Sequence, residues 1–220
     1  WREFCKNISR NSGFWWMDLG GGWFDSEEIL NEIQKAIQVN DLLRKEEHRS
    51  ISDVLIVVDE ESFLYMSINQ KFFMNYILDF ITDINESGVL ADTYRLKDLE
   101  EIDLSQYKLI IFANTFKITN WDRIHNKIRP DTTMLFNHAA GIWNDSFNIN
   151  NVKELTGFCI SDGGCINSYP EIKVTNGSPV YYDKNGKEII LKLERRDGGI
   201  NYINCGKPGK DSLRKIAKDA

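Results

Sequence analysis

Histidine is scarce in this 220-residue chain, with three copies, and the four cysteines include no Cys-x-x-Cys pair. A structural zinc site needs several closely spaced soft ligands, so this composition argues against one, and no metal is expected. No run of lysine or arginine stands out against a net charge of -6 and a pI near 5.2. Such a field repels a phosphate backbone, which argues against nucleic acid as a partner. Long apolar runs are missing too. Val54-Leu55-Ile56-Val57-Val58 is far shorter than the ~20 residues needed to cross a bilayer, so no membrane span is expected. The opening Trp1-Arg2-Glu3-Phe4-Cys5 has no initiator methionine, no basic start and no apolar signal core. The expectation is a fragment or processed form, with a cytoplasmic location favoured over export. Internal repeats and low-complexity tracts are also lacking.

What remains is ordinary globular composition, 42% hydrophobic and 27% charged, enough for one sizeable core with or without an appendage. Asp162-Gly163-Gly164 is turn-prone and would let Cys159 and Cys165 meet, but a chain with this much core needs no staple, and two free thiols is the simpler reading.

Three regions differ in pattern. Residues 1–49 open with a stretch dense in aromatics and glycine. Phe14 to Met17 reads as a short buried strand, and Gly20-Gly21-Gly22 as a tight loop. Asp25 or Ser26 caps the helix that follows, on which Ile29, Ile33 and Ile37 form one apolar stripe. The charged stretch Arg44 to Arg49 reads as a solvated helix end and linker. Residues 50–160 alternate strands with helices: a strand over 53–58, a long helix with Phe73, Ile77, Phe80, Ile81 and Ile84 on one face, strands over 91–94 and 107–113, a helix over 120–128, and a strand over 132–136. That alternation implies parallel pairing through crossovers, hence an α/β, flavodoxin-like or Rossmann-like three-layer domain with a mainly parallel sheet. In residues 161–220 short strands over 171–174, 180–182, 188–193 and 200–205 precede a closing helix over 211–220. Asn185-Gly186 marks a hairpin turn, and the region belongs to the same domain.

The glycine triplet lacks the Lys-Ser/Thr of a phosphate-binding loop and the spacing of a dinucleotide fingerprint, so no cofactor is expected. Trp15, Trp16, Asp18, Trp23 and Phe24 crowd around it. Indole faces beside a carboxylate suit a sugar, whose C–H face stacks on the ring while its hydroxyls donate to the acid, although the same aromatics would serve a core or a domain interface equally well.

At this point Phe14-Trp15-Trp16-Met17-Asp18-Leu19, with Gly22-Trp23-Phe24-Asp25, resembles the end of the catalytic barrel in beta-galactosidase-like glycoside hydrolases related to family forty-two. The strands Val54 to Val58, Tyr107 to Ala113 and Thr132 to Phe136, with Asn151-Val152-Lys153-Glu154-Leu155-Thr156-Gly157 and the final Leu213 to Ala217, resemble the domain that follows that barrel. The resemblance implies that residues 1–49 are the last barrel strand, loop and helix. Trp15, Trp16 and Trp23 would then face the sugar, and Asp18 would bind one of its hydroxyls at the barrel mouth. It also implies a carbohydrate substrate, β-galactosides or related sugars, and a homo-oligomer, a trimer in the family. The paired carboxylates of a retaining glycosidase, about 5 Å apart, lie on earlier strands of such barrels, so no catalytic residue is expected in this chain.

The following domain resembles class I glutamine amidotransferases, whose nucleophile is a cysteine on a sharp turn after a strand. The corresponding turn, Asn137-His138-Ala139-Ala140-Gly141, has none, which argues against acyl transfer. His138 reads either as a base or, more simply, as a hydrogen-bonded structural histidine. Asp59-Glu60-Glu61 lies at the carboxyl edge, where open α/β sheets bind ligands. These acids would hold a cation or a sugar, or one would cap Ser62 while the others stay solvated. The leading expectation is thus a non-catalytic trimerisation or accessory domain of a glycoside hydrolase. The alternatives are a free-standing flavodoxin-like enzyme or binder using Glu60, Glu61 and His138, and a carbohydrate-binding module with Trp15, Trp16 and Trp23 as its platform.

Overall fold

A computed structural model describes residues 1–9, 12–45, 49–66, 72–166 and 169–220. The chain divides into two compact units, Trp1–Ile51 and Ser52–Ala220.

Among the described residues the first unit holds two helices, α1 (Arg2–Ile8) and α2 (Glu27–Leu43). Ser26 caps α2: its backbone is extended and its hydroxyl accepts from the Ile29 amide at 3.3 Å, while Glu27 and Glu28 complement the positive end of the helix dipole. A chain of edge-to-face rings runs from Trp1 to Phe4, Phe14 and Trp16, with centroids 5.6, 6.1 and 4.9 Å apart. The strand expected over Phe14 to Met17 does not form. Side chains there alternate, with Phe14 and Trp16 half-buried and Trp15 and Met17 exposed, yet no described segment pairs with this one, and a strand exists only through its ladder. The helical stripe is likewise mostly uncovered: Ile29 and Ile37 are exposed, and Ala36 is the buried position of α2. The helix α1 was not anticipated, and residues 46–48 of the charged linker lie outside the described residues.

The second unit is built on one seven-stranded sheet. Its strands are β1 (Val54–Val58), β2 (Ala91–Arg95), β3 (Leu109–Phe112), β4 (Thr133–Asn137), β9 (Ser178–Tyr182), β10 (Glu188–Glu194) and β11 (Ile200–Asn204). Their order is β2-β1-β3-β4-β11-β10-β9. The first five pair in parallel and the last two add on antiparallel. The parallel part therefore has the flavodoxin order, and the unit is a three-layer α/β domain.

The central strands read as unbroken apolar runs because both faces are covered. Val54, Ile56, Leu109 and Ile111 point to one face, where they meet Phe80, Ile84, Leu213 and Ile216. Those four come from α3, a π-helical stretch Phe73–Leu78 running into an α-helix Asp79–Glu86, and from α6 (Gly209–Asp219). Lys207 to Asp79 at 2.9 Å and the Arg214 guanidinium on the Ser87 carbonyl at 2.6 Å tie the two together. Leu55, Val57, Ile110 and Phe112 point to the other face, against Leu99, Leu104 and Ile124. Cover is thinner there. The helix expected over 120–128 shortens to α4 (Trp121–His125), because the Lys127 and Ile128 amides turn back to carbonyls three residues earlier rather than four. A third apolar cluster seats α5 (Ile149–Thr156) through Val152 against Leu191 and Ile203.

Among the described residues four further strands lie outside the main sheet, as two antiparallel pairs: β5 (Trp143–Asn144) with β6 (Ser146–Phe147), and β7 (Ile160–Ile166) with β8 (Tyr169–Val174). Of these only β8 was legible in the sequence. Cys159 is a free thiol.

Candidate functional site

The strand order places the topological switch point between β1 and β3, so loops leaving their carboxyl ends diverge and open a crevice. Asn114, two residues beyond the end of β3, pins the start of the β1 loop from both sides. Its Oδ1 accepts from the Asp59 amide at 2.8 Å, and its Nδ2 donates to the Asp59 carbonyl at 2.7 Å. The buried Asp59 carboxylate then accepts from the Glu61 amide at 3.3 Å, from the Ser62 amide at 2.8 Å and from the Ser62 hydroxyl, capping the 3-10 turn Glu61–Tyr65.

Glu60 is ion-paired with Lys97, whose hydrogen bond holds its carboxyl below the usual carboxylate range, and Arg95 stands 3.9 Å away. Glu61 meets Lys117 at 3.3 Å. The lysine is raised above its ordinary value by the Tyr65 hydroxyl and by Glu61. The three acids therefore diverge: one caps a turn and two serve surface ion pairs. No three-residue metal cluster occurs among the described residues.

His138 follows β4 on the same edge. It is 4% exposed and has φ 55, a left-handed backbone that is uncommon for a residue with a side chain. Two asparagines hold this corner. The Asn137 side chain donates to the carbonyls of Tyr76 at 2.6 Å and Ala113 at 2.8 Å, and its Oδ1 accepts from the Asn204 Nδ2 at 2.7 Å. The His138 amide reaches the Asn204 carbonyl at 2.7 Å. The imidazole sits edge-on between Phe72 and Tyr76, with ring centroids 5.2 Å away in each case, and Phe116 lies at 6.3 Å.

A cavity of about 510 Å³ opens beside it, walled by Phe72, Phe116, Ile142, Trp143 and Ile160, with the acids Asp162 and Glu171 also in its lining. Tyr65 and Trp143 lean together at 4.9 Å, and Phe147 continues the aromatic wall at 6.0 Å. An apolar cavity with few polar groups suits a small organic ligand better than an ion. Trp143 and Phe147 were missed in the sequence because they stand on a two-residue-per-strand hairpin that leaves no periodicity. His138 directly follows β4, and its aromatic neighbours Phe72, Tyr76 and Phe116 come from segments more than 20 positions away.

In the first unit, Trp15 and Trp23 are 68% and 58% exposed, and Trp16 is half-buried against Phe14. Asp18 is committed to the glycine loop. One of its oxygens accepts from the Gly20 and Gly21 amides at 3.3 and 2.6 Å, and the other from the Trp23 amide at 3.2 Å. Asp18 thus fixes where Trp23 leaves the loop. Gly21 and Gly22, at φ 78 and 82, supply the left-handed turn this requires.

No protein-family model matches the sequence, and no curated protein matches it. Solved structures do. A beta-galactosidase from Bacillus circulans sp. alkalophilus superposes with a TM-score of 0.64 at 14% identity, over 89% of this chain and 34% of its own. A cold-adapted beta-galactosidase from Rahnella sp. R3 gives 0.63 at 13%, over 89% and 35%, and a GH42 beta-galactosidase from G. stearothermophilus gives 0.62 at 14%, over 89% and 33%.

This chain shares its fold with part of the beta-galactosidases of that type. It spans about a third of their length. The shared fold agrees with the resemblance read from the Trp15-Trp16 block and the strand segments. At such identities it carries no residue assignment, so the roles of Trp15, Trp16, Asp18, Trp23, Asp59, Glu60, Glu61 and His138 rest on the geometry described above.

Proposed function

We propose that this chain is part of a beta-galactosidase-like glycoside hydrolase acting on β-galactosides or related sugars. In this reading residues 1–49 close a catalytic barrel, with Trp15, Trp16, Asp18 and Trp23 bordering its sugar site. Residues 50–160, continued by 161–220, form an amidotransferase-like accessory domain that holds copies of the chain together, as a trimer. The domain is non-catalytic.

The fold shared with beta-galactosidases supports the hydrolase reading, and the observation that carries the non-catalytic reading of the second unit is His138. It occupies the strained turn after β4 where an acyl-transfer enzyme of this fold would present a cysteine, and the turn offers no thiol or hydroxyl to attack a carbonyl. The acids near the sheet edge are spent on a cap and ion pairs, which supports the same conclusion.

The test is turnover by the purified chain of nitrophenyl β-galactosides and of glutamine. Rates equal to the buffer blank are expected for both. Saturable hydrolysis of either one, abolished by His138→Ala, would overturn the proposal. A carbohydrate-binding role for the first unit has one observation in its favour, the exposure of Trp15 and Trp23. It predicts that galactosides change the fluorescence of the wild type but not that of the double variant Trp15→Ala/Trp23→Ala.

A further inference from the structure

A second cleft, beside α4, has chemistry unlike that of the His138 cavity. It encloses about 370 Å³ between Trp121, Gly141 after β4, Asn144 of the β5–β6 hairpin, and Asn151 and Glu154 of α5. No site residue read from the sequence lies in it.

Trp121 is half-buried and anchored from behind. Its ring meets Phe112 and Phe136 of the core edge-on, with centroids 5.7 and 6.1 Å away, and tilts against His125 at 5.4 Å. The rest of the indole lines the cleft on a rigid support. The amide groups around it are oriented. Asn151 donates its NH2 to the carbonyls of Ile142 at 3.2 Å and Ser146 at 3.0 Å, and Asn120 donates to Glu100 at 2.7 Å. Both N–H groups of Asn151 are thereby spent on carbonyls, so its amide oxygen, an acceptor, is the group left over, while Asn120 keeps one N–H beside its oxygen. Glu154 and Asp122 add two carboxylates with no ion-pair partner among the described residues, whereas Arg123, also in the lining, is drawn to Glu100 at 3.4 Å.

An indole backed by the core and a rim rich in acceptors selects a ligand that brings donors and an apolar C–H face but no negative charge. A sugar ring meets that description, and a phosphate or carboxylate would be repelled. The volume is at the lower end for a small-molecule site and fits one or two rings.

We propose that this cleft is an accessory binding site for a neutral sugar, one ring against Trp121 with hydroxyls donated to Glu154 and to the Asn151 amide oxygen. The inference concerns the 52–220 unit alone and holds whether or not the chain belongs to a larger hydrolase.

The test is a titration of the full ¹⁵N-labelled chain with galactose, lactose and mannose, and with inorganic phosphate as the anionic control. The readout is the indole N–H signals of the six tryptophans. Replacing Trp121 would disturb Phe112 and Phe136, so the other five are assigned by Trp→Phe substitution and Trp121 by elimination. The expected result is a saturable shift of the Trp121 signal with a millimolar Kd for at least one sugar and none with phosphate. Exposed Glu154→Gln should fold normally and weaken binding about tenfold, the loss of one charge-assisted hydrogen bond. An unmoved Trp121 signal with every sugar into the tens of millimolar, shifts confined to Trp15, Trp16 and Trp23, an equal response to phosphate, or unchanged affinity in Glu154→Gln would each overturn it.

Discussion

Replacing Asn137 by alanine tests whether the polar corner behind His138 is a structural device. The side chain is fully buried, and one substitution strips a donor from the Tyr76 and Ala113 carbonyls and an acceptor from Asn204. A buried polar group left without its partner costs about 1–3 kcal/mol. Asn204 keeps its bond to the Gly206 carbonyl at 3.0 Å, so the three losses should not add in full. The expected total is about 2–4 kcal/mol, which for a unit of this size lowers Tm by roughly 5–15 °C. The assay is urea unfolding followed by far-UV circular dichroism, with exposed Asn144→Ala as the control, expected within about 0.5 kcal/mol of wild type. A loss below about 1 kcal/mol for Asn137→Ala with an unchanged denaturant slope would refute the reasoning, since the three bonds could not then be holding the corner.

Other consequences follow from the same geometry. Gly199→Ala would place its Cβ 1.9 Å from the Arg195 guanidinium and 2.4 Å from the Pro130 carbonyl, so it should break the clamp that Arg195 makes on Pro130, Thr132 and Asn201 and lower Tm, as Arg195→Ala should; thermal unfolding of the two variants checks both. Burial pushes the Cys205 thiol up to about 11, so iodoacetamide at pH 8 should modify Cys5 and spare Cys205, as peptide mass mapping would reveal. Because the folded-state value is raised, the unfolded chain ionises first, and the contribution of Cys205 to stability is present below about pH 9 and lost between about 9 and 11. Glu60→Ala should leave stability almost unchanged in urea unfolding, because its ion pair with Lys97 is solvent-exposed and screened.

The parts of the fold that could be read in advance were those whose signal is periodic. Val54 to Val58 and Leu109 to Phe112 are apolar without a break because helices or loops cover both their faces, and α3 and α6 show stripes because only one side meets the sheet. Asn185-Gly186 announced the β9–β10 turn through its left-handed glycine at φ 80. The failures have equally physical causes. Phe14 to Met17 has the residues of a strand and no described partner, so composition alone could not make it one. β5, β6 and β7 are short or interrupted by glycine, and their pairing depends on contacts that periodicity cannot express. At the site, His138 and the acids after β1 were visible because strand ends are where open sheets bind ligands. The aromatic wall beside His138 and the acceptor rim beside Trp121 are each assembled from several separate stretches of the chain, and no local pattern marks either one.

The role proposed for the second unit is assembly rather than catalysis. Light scattering coupled to size-exclusion chromatography across a concentration series measures this directly. The expected mass rises above the 25.5 kDa of one chain and approaches three times that value. A mass fixed at 25.5 kDa at every concentration would contradict it.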